Sequence, residues 1–183
     1  MELENILTDE VDVFDVSENE DFPFAKTWKK TYEAIEGALN DFGKSDEKER
    51  ILNKVSHIVN VLVRFGTTYE DLVLETAEVY VFSKEANLNA EDFEKTFGRY
   101  VVDGIKALNQ PLNSHAKMKE VFDNKEFRYL GKIKIAEYLV DLVLNDSVSK
   151  EYLDEIDDVI KVYGNRVHRK LMKMLIEERA KRK

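Results

Sequence analysis

Residues 51–82 form the most hydrophobic stretch of this 183-residue chain and constrain its fold more than any other part. Their sequence, ILNKVSHIVNVLVRFGTTYEDLVLETAEVYVF, places one apolar run with helical spacing on each side of Gly66. Glycine readily takes the left-handed conformation that ends many helices, and Thr68 with Asp71 resembles the start of a new one. The stretch therefore predicts two consecutive helices at the centre of the protein.

Each of the two predicted helices buries an apolar face, because its hydrophobic residues recur every three or four positions. In the first helix, the predicted buried residues are Ile51, Val55, Ile58, Val59, Leu62 and Phe65. In the second, they are Leu72, Val73, Thr76, Val79 and Tyr80, and Asn87 is the predicted end of the helix.

Glycine and proline are scarce in the whole chain, with seven and two residues, whereas the helix-forming residues Leu, Ala, Glu and Lys are frequent. This composition predicts an all-α fold. Because no linker rich in Gly, Ser or Pro divides the chain, residues 25–183 are predicted to form a single compact multi-helix domain. The other predicted helices cover residues 27–42, 90–109, 116–122 and 127–144 and the chain after Ser149.

Three features of these other helices bear on the architecture. Residues 127–144 are apolar nearly all round, which predicts a central helix packed on several sides. Gly98 and Gly104 are predicted to bend or break the segment that follows Asn89. An interruption near Gly164 is predicted in the C-terminal helix.

Charge is distributed unevenly along the chain, whose formal net charge is −9. Residues 1–24 carry nine acids, no base and no helical period, which predicts an acidic, flexible arm. Three roles stay open for the arm: a solubilising tail, a segment that folds on a partner, or a clasp on the C-terminal helix. Residues 161–183 carry nine bases and two acids. Residues 167–183 are interpreted as a terminal helix whose last-turn cations complement its dipole, with phosphate or RNA contact and association with the acidic arm as alternatives.

Composition also disfavours several classes of protein. A chain without cysteine has neither disulfides nor thiolate metal sites, and it suits the cytoplasm. We expect neither membrane insertion nor secretion, because no uncharged apolar run is long enough to span a bilayer and the acidic N-terminus is unlike a signal peptide. The negative net charge argues against a general nucleic-acid binder. The oligomeric state stays open.

The common catalytic motifs are missing from the sequence. It contains no phosphate-binding P-loop, no dinucleotide-binding glycine motif and no nucleophile elbow. The three histidines, His57, His115 and His168, lie far apart, and none belongs to an HExxH or ExxH pair of metal ligands. Glu75 and Glu78 are three residues apart and are interpreted as a solvated pair, in preference to an acid/base or metal-binding pair.

Residues 51–171 nevertheless contain an ordered series of motifs: Ile58, Leu62, Phe65 and Gly66, then LETAEVYVFS (74–83), FG (97–98) and VVDGIKAL (101–108), KIKIAEYLVDL (132–142) and DVIKVYGNRVHRKL (158–171). In order and spacing this series resembles the motifs of alarmone ((p)ppGpp) hydrolase domains of the RelA/SpoT type, a branch of the HD superfamily. The resemblance implies an HD-like helical domain. In such hydrolases a bound metal lowers the pKa of water and offsets phosphate charge.

The metal-binding positions of that family hold other residue types in this chain. Lys54 stands where the resemblance places the first metal-binding histidine, and Glu78 and Val79 stand at the His-Asp doublet. The remaining metal aspartate corresponds to Glu137. The resemblance therefore implies a domain whose metal-binding motif is not retained.

The positions for water and nucleotide are replaced as well. Phe82 and Ser83 stand where an acidic pair acts on the attacking water, and Asp141 stands at a nucleotide-contacting asparagine. Residues 45–50 (SDEKER) replace a basic loop that grips guanine nucleotide. We predict a vestigial pocket, with no confident catalytic residue and no metal, formed by Lys54, His57, Glu78, Val79, Phe82, Glu137 and Asp141.

Three functions follow as hypotheses. The leading one is a pseudoenzyme, a non-catalytic HD-hydrolase-like protein without a cofactor that acts as a binding or regulatory module for a protein partner or a nucleotide. An alternative is a divalent-metal-dependent (p)ppGpp or nucleotide pyrophosphohydrolase with a rearranged site built on His57, Glu78 and Glu137. The third is an acidic helical interaction or inhibitor protein unrelated to HD enzymes.

Overall fold

The computed structural model describes residues 25–41, 45–64, 71–110, 115–145 and 147–182. Within these ranges all regular structure is helical, which confirms the all-α prediction. The predicted acidic arm, residues 1–24, lies outside the described residues. The helices are α1 (Ala25–Asp41), α2 (Lys48–Arg64), α3 (Asp71–Ala86), α4 (Glu94–Phe97), α5 (Arg99–Leu108), α6 (His115–Phe122), α7 (Leu130–Leu144), α8 (Lys150–Tyr163) and α9 (Arg166–Arg182), with 3-10 helices at Ser45–Glu47 and Ala90–Phe93.

Helices α2 and α3 are the two predicted for the central apolar stretch, and they pack on each other. Helix α3 also packs against α1, α5 and α7, so it is buried nearly all round instead of on one face. Leu74, Ala77 and Val81 are consequently buried although they lie off the predicted face. The prediction for Leu72 is wrong: this residue is 40% exposed, because it lies in the first turn of the helix.

Helix α7 is central, as its sequence predicts. It packs against α2, α3, α5, α8 and α9, and burial extends around its whole circumference. The helix begins at Leu130, because residues 125–129 form turns. A single hydrophobic core extends from Ile35 on α1 to Leu175 on α9.

Two glycines in the segment after α3 behave differently. Gly98 has a φ of 84°, a conformation that side chains disfavour, and it separates α4 from α5 as predicted. Gly104 does not break α5. A Cβ atom there would lie 2.7 Å from the Tyr129 hydroxyl and 3.1 Å from Cγ2 of Thr76. Gly104 therefore allows close packing within an intact helix.

The C-terminal helices begin with side-chain caps. The hydroxyl of Ser149 accepts the backbone N–H of Tyr152 at 3.1 Å at the start of α8. The predicted interruption near Gly164 is present, and Asn165 then caps α9 by accepting the N–H groups of Val167 and His168 at 2.8 and 2.9 Å. In the portion of the chain that the structure describes, every helix is too short or too polar to cross a membrane.

Candidate functional site

The seven residues of the predicted pocket lie on three adjacent helices. Lys54 and His57 are on α2, and Glu137 and Asp141 are one turn apart on α7. The structure brings Lys54 and Asp141 together, and Glu137 lies beside them in a layer of ion pairs between α2, α3, α7 and α8. We call this layer the ionic network; its members are Arg50, Lys54, Tyr80, Lys84, Glu85, Lys134, Glu137, Asp141 and Tyr152.

Glu137 is the buried centre of one half of the ionic network. Its carboxylate is 1% exposed and accepts hydrogen bonds from Lys134 at 2.6 Å, from Tyr80 at 3.0 Å and from Lys84. Burial alone would raise the pKa of Glu137, but the two ammonium groups outweigh it and lower the pKa to about 2. Glu137 is therefore an ionised carboxylate whose two oxygens are occupied by protein donors.

Lys54 is the centre of the other half. Its ammonium group lies 2.8 Å from Glu85 and 3.1 Å from Asp141, and Asp141 also accepts the hydroxyl of Tyr152 at 2.8 Å. Burial lowers the pKa of Lys54, but the two carboxylates outweigh that effect and raise it. Arg50 pairs with the same Glu85. Lys54 therefore carries a fixed positive charge at the position where the family resemblance places a metal-binding histidine.

Charges within the ionic network nearly balance. Its three carboxylates face four cations, so each acidic group has at least one cationic partner. Aromatic rings cover its edge: the rings of Tyr138 and Tyr152 meet edge to face at 5.5 Å, and Lys134 lies 4.9 Å from the ring centre of Tyr138. This arrangement can hold four helices together, because charged groups of α2, α3 and α7 are paired with one another and α8 contributes the hydroxyl of Tyr152.

His57 lies outside the ionic network. Its Nδ1 is 2.7 Å from the backbone carbonyl oxygen of Asn53, so we assign the proton to Nδ1, which donates to that oxygen. Its Nε2 is then an acceptor, and this atom is buried without a hydrogen-bond partner. His57 thus offers one buried lone pair that the fold does not use.

Glu78 lies in a different interface, between α3 and α1. It is 1% exposed, and neither carboxyl oxygen has a hydrogen bond of standard geometry, which makes the interpretation of Glu75 and Glu78 as a solvated pair wrong for Glu78. Burial raises the pKa of Glu78 to about 8 and is the main cause of the shift. The hydroxyl of Thr31 acts in the opposite direction, whereas the charges of Glu75 and Asp71 raise the pKa further. Glu78 is therefore a neutral acid at neutral pH.

The remaining predicted residues are part of the apolar core. Val79 and Phe82 are fully buried, and the ring of Phe82 meets that of Phe93 edge to face at 5.5 Å. Glu75, beside Glu78 in sequence, forms an ion pair with Lys30 of α1 at 2.7 Å. Among the residues that the structure describes, no three His, Asp or Glu side chains converge as metal ligands. His57, Glu78 and Glu137 are thus not grouped as three ligands in this structure.

Several members of the ionic network are not evident from the sequence. The apolar spacing predicts Tyr80 as a core residue, and it gives no role to Lys84, Glu85, Lys134 or Tyr152. One local signal was available: Lys134 and Glu137 are three residues apart on one helix, a spacing at which opposite charges pair. The pairing of Lys54 with Asp141 joins distant parts of the chain and has no such signal.

A groove of about 930 Å³ lies beside the ionic network at the start of α2. The groove is lined by both basic and acidic side chains, and its bases are paired. Lys48 pairs with Glu36 of α1, and Arg50 pairs with Glu47 and with Glu85. Because its cations are already paired, the groove lacks the concentrated positive charge that binds phosphates. It is lined by Tyr32, Asp46, Lys48, Glu49, Arg50, Leu52 and Asn53.

Comparisons with protein-family models, with curated protein sequences and with solved structures found no match to this chain. The likeness to HD hydrolases accordingly stays a prediction from the motifs of the sequence.

Proposed function

We propose that this chain is a non-catalytic helical module, built on an HD-like scaffold, that binds a partner instead of hydrolysing a nucleotide. The observation that carries the proposal is the ionic network. At the positions that the resemblance assigns to metal and nucleotide contacts, Lys54, Glu137 and Asp141 bind other side chains of the same protein.

The chemistry of a metal-dependent phosphohydrolase explains why this observation supports the proposal. Such an enzyme needs several carboxylate or imidazole lone pairs directed at one ion. The oxygens of Glu137 accept from Lys84, Lys134 and Tyr80, so a metal ion would have to displace two ammonium groups. The displaced cations would also repel the incoming ion.

The exposed apolar side chains supply surface for a protein partner. Tyr100 on α5 is 77% exposed, and tyrosine is enriched where proteins bind each other. Val162 and Val167, on either side of the turn between α8 and α9, are also exposed. These surfaces fit a binding module whether or not it is related to HD domains.

A metal-dependent hydrolase with a rearranged site is the second candidate, because two buried groups lack partners. Nε2 of His57 and the oxygens of Glu78 are the lone pairs that a metal would take. This candidate requires Glu78 to be ionised and the three side chains of His57, Glu78 and Glu137, which do not converge in the described structure, to move onto one ion. It therefore predicts that Glu78→Gln removes both metal and activity.

Hydrolysis assays separate the two candidates. The full-length protein is incubated with (p)ppGpp and with nucleoside triphosphates in excess Mn²⁺, Mg²⁺ or Zn²⁺, beside Glu78→Gln as a matched variant. The proposal predicts the same background release of pyrophosphate from both proteins. Metal-dependent turnover by the parent protein that Glu78→Gln abolishes would overturn it.

A further inference from the structure

Helix α9 presents a surface that is rich in cations, next to helix α8, which carries five acids and two bases. Between residues 159 and 176 the chain has no Asp or Glu. Four basic side chains of α9 in this stretch are exposed: Arg166, Arg169, Lys170 and Lys173. We call this region the α8–α9 surface.

The positive charge of the α8–α9 surface is only partly neutralised. Lys161 pairs with Asp157 and lies 4.0 Å from Asp158, and Lys173 lies 3.7 Å from Glu177. Arg166 and Lys170 form no ion pair with any residue in the described ranges. Arg166 and Arg169 also belong to the first turn of α9, where the helix dipole is already positive. The first-turn cations therefore add to the positive end of the dipole, and an anionic occupant would be attracted there.

The same surface exposes apolar side chains. Of the six large hydrophobic residues exposed in the described parts of the chain, four lie here: Val162, Val167, Met174 and Ile176. A groove of about 480 Å³ runs between α8 and α9, with Ile160, Met172 and Ile176 as its apolar lining. Lys161, Arg169 and Lys173 flank it, beside Asp157 and Glu177.

Residues 1–24 are complementary to this surface in both respects. They contain nine acids and no base, and apolar residues alternate with the acids in DEVDVFDV. An anionic segment with interspersed valine and phenylalanine side chains would neutralise Arg166 and Lys170 and cover the exposed valines. We propose that residues 1–24 dock on the α8–α9 surface of their own chain.

Chain length permits this contact. A segment of 24 residues spans up to roughly 80 Å when extended, at about 3.3 Å per residue. A domain of this size has a radius of gyration of about 15 Å, so every part of its surface is within reach. Because the segment is tethered, its local concentration is on the order of millimolar, which favours its own chain over a second copy. No residue of the ionic network, on which the proposed function rests, takes part in the contact, although the docked segment would cover Val162 and Val167 and leave Tyr100 for a partner.

The absence of cysteine allows a direct test in the full-length chain. A single Ser17→Cys substitution carries a nitroxide spin label, and the amide signals of α9 are followed by NMR in ¹⁵N-labelled protein. We expect roughly twofold or greater loss of signal for Arg166 to Lys173 at about 0.05 M salt, reversed at about 1 M salt, where the Debye length is about 3 Å.

Reversing two charges of α9 tests whether residues 1–24 dock on the α8–α9 surface. Arg166→Glu with Lys170→Glu should restore the α9 signals at low salt, whereas Lys95→Glu with Arg99→Glu, which changes the net charge equally on α4 and α5, should not. If the reversed α9 protein does not fold, Arg166→Gln with Lys170→Gln serves instead.

Unchanged broadening in the α9 variants, or none in the parent protein, would overturn the proposal. Broadening in a mixture of ¹⁵N-labelled unmodified chains and spin-labelled unenriched chains would assign the contact to a second copy and overturn the intramolecular form.

Discussion

The ammonium group of Lys54 lies 3.1 Å from a carboxylate oxygen of Asp141, and this ion pair joins α2 to α7. Both side chains are largely buried, and each has a second partner, Glu85 for Lys54 and Tyr152 for Asp141. The pair occupies two positions that the HD resemblance assigns to a metal ligand and to a nucleotide contact. In this protein the two positions hold helices together.

The first prediction concerns the strength of that pair. Lys54→Met keeps the aliphatic packing but leaves two acids without their shared cation, so we expect a loss of about 2 kcal/mol in the free energy of unfolding. Asp141→Asn should cost less, because Lys54 keeps Glu85. A double-mutant cycle by urea denaturation should give a coupling of about 1 kcal/mol between Lys54 and Asp141. Strictly additive effects would show that the two charges do not interact.

Glu137→Gln is predicted to destabilise the protein more. The substitution leaves the ammonium groups of Lys84 and Lys134 without the carboxylate between them, at a cost of about 3 kcal/mol near neutral pH. Because the folded pKa of Glu137 is about 2, below the ordinary 4.5, its stabilisation is present above pH 4.5 and is lost as pH falls towards 2. The difference between parent and variant should therefore shrink in acid.

The control for this variant also removes Lys134, one of the two cations that Glu137→Gln leaves without a carboxylate partner. Lys134→Met combined with Glu137→Gln should recover part of the loss, because one fewer buried charge then lacks a partner. Urea unfolding of the three proteins at pH 7 and pH 3 provides the measurement. A difference that stays constant between these two pH values would contradict the low pKa of Glu137.

Glu78 is predicted to have the opposite pH dependence. Its pKa is about 8 in the folded protein and 4.5 in the unfolded chain, so the unfolded state loses this proton first. The stability of the parent protein therefore falls as pH rises from 4.5 to about 8, by an amount on the order of a few kcal/mol. Glu78→Gln lacks this titration and should gain stability over the parent as pH rises.

Thermal unfolding of Glu78→Gln at pH 5, 7 and 9 checks this prediction. The exposed Glu94→Gln on α4 is the control, and its melting temperature should follow that of the parent at each pH. Parallel curves for Glu78→Gln and the parent would show that Glu78 is ionised in the folded state as well.

Two glycine substitutions in helices are predicted to have opposite effects. Gly37→Ala on α1 meets no atom within 4 Å, so it should stabilise by about 0.5–1 kcal/mol through helix propensity. Gly104→Ala should destabilise by about 1–2 kcal/mol, because the new methyl group would clash with Tyr129 and Thr76. In a Tyr129→Phe background the closest clashing atom is absent, and the cost of Gly104→Ala should fall. Equal costs in both backgrounds would mean that the hydroxyl is not the obstacle.

The helices were largely predictable from the sequence, because apolar spacing and caps are local properties. Gly98 and Ser149 marked real boundaries, and the apolar circumference of residues 127–144 identified α7 as central. Leu72 was misplaced because periodicity does not show where a helix emerges into solvent. Gly104 was misjudged because its role depends on Tyr129, which approaches from another segment.

The candidate site was less predictable for a physical reason. Lys54, Glu137 and Asp141 could be selected from motif positions, but an ion pair depends on distance between segments far apart in sequence. The sequence does not distinguish Glu78 from an ordinary surface acid. Glu75, one turn away on the same helix, is such an acid, and it pairs with Lys30 at the edge of the same interface. Burial in three dimensions decides between these two glutamates.

Titration of Mn²⁺ into the full-length protein at pH 7, followed by calorimetry, tests the central claim most directly. If Lys54, Lys84 and Lys134 occupy the carboxylates as described, the parent protein and Glu137→Gln should give the same weak background heats. Stoichiometric binding by the parent that Glu137→Gln abolishes would contradict the account, because it would show that a metal displaces the lysines from Glu137.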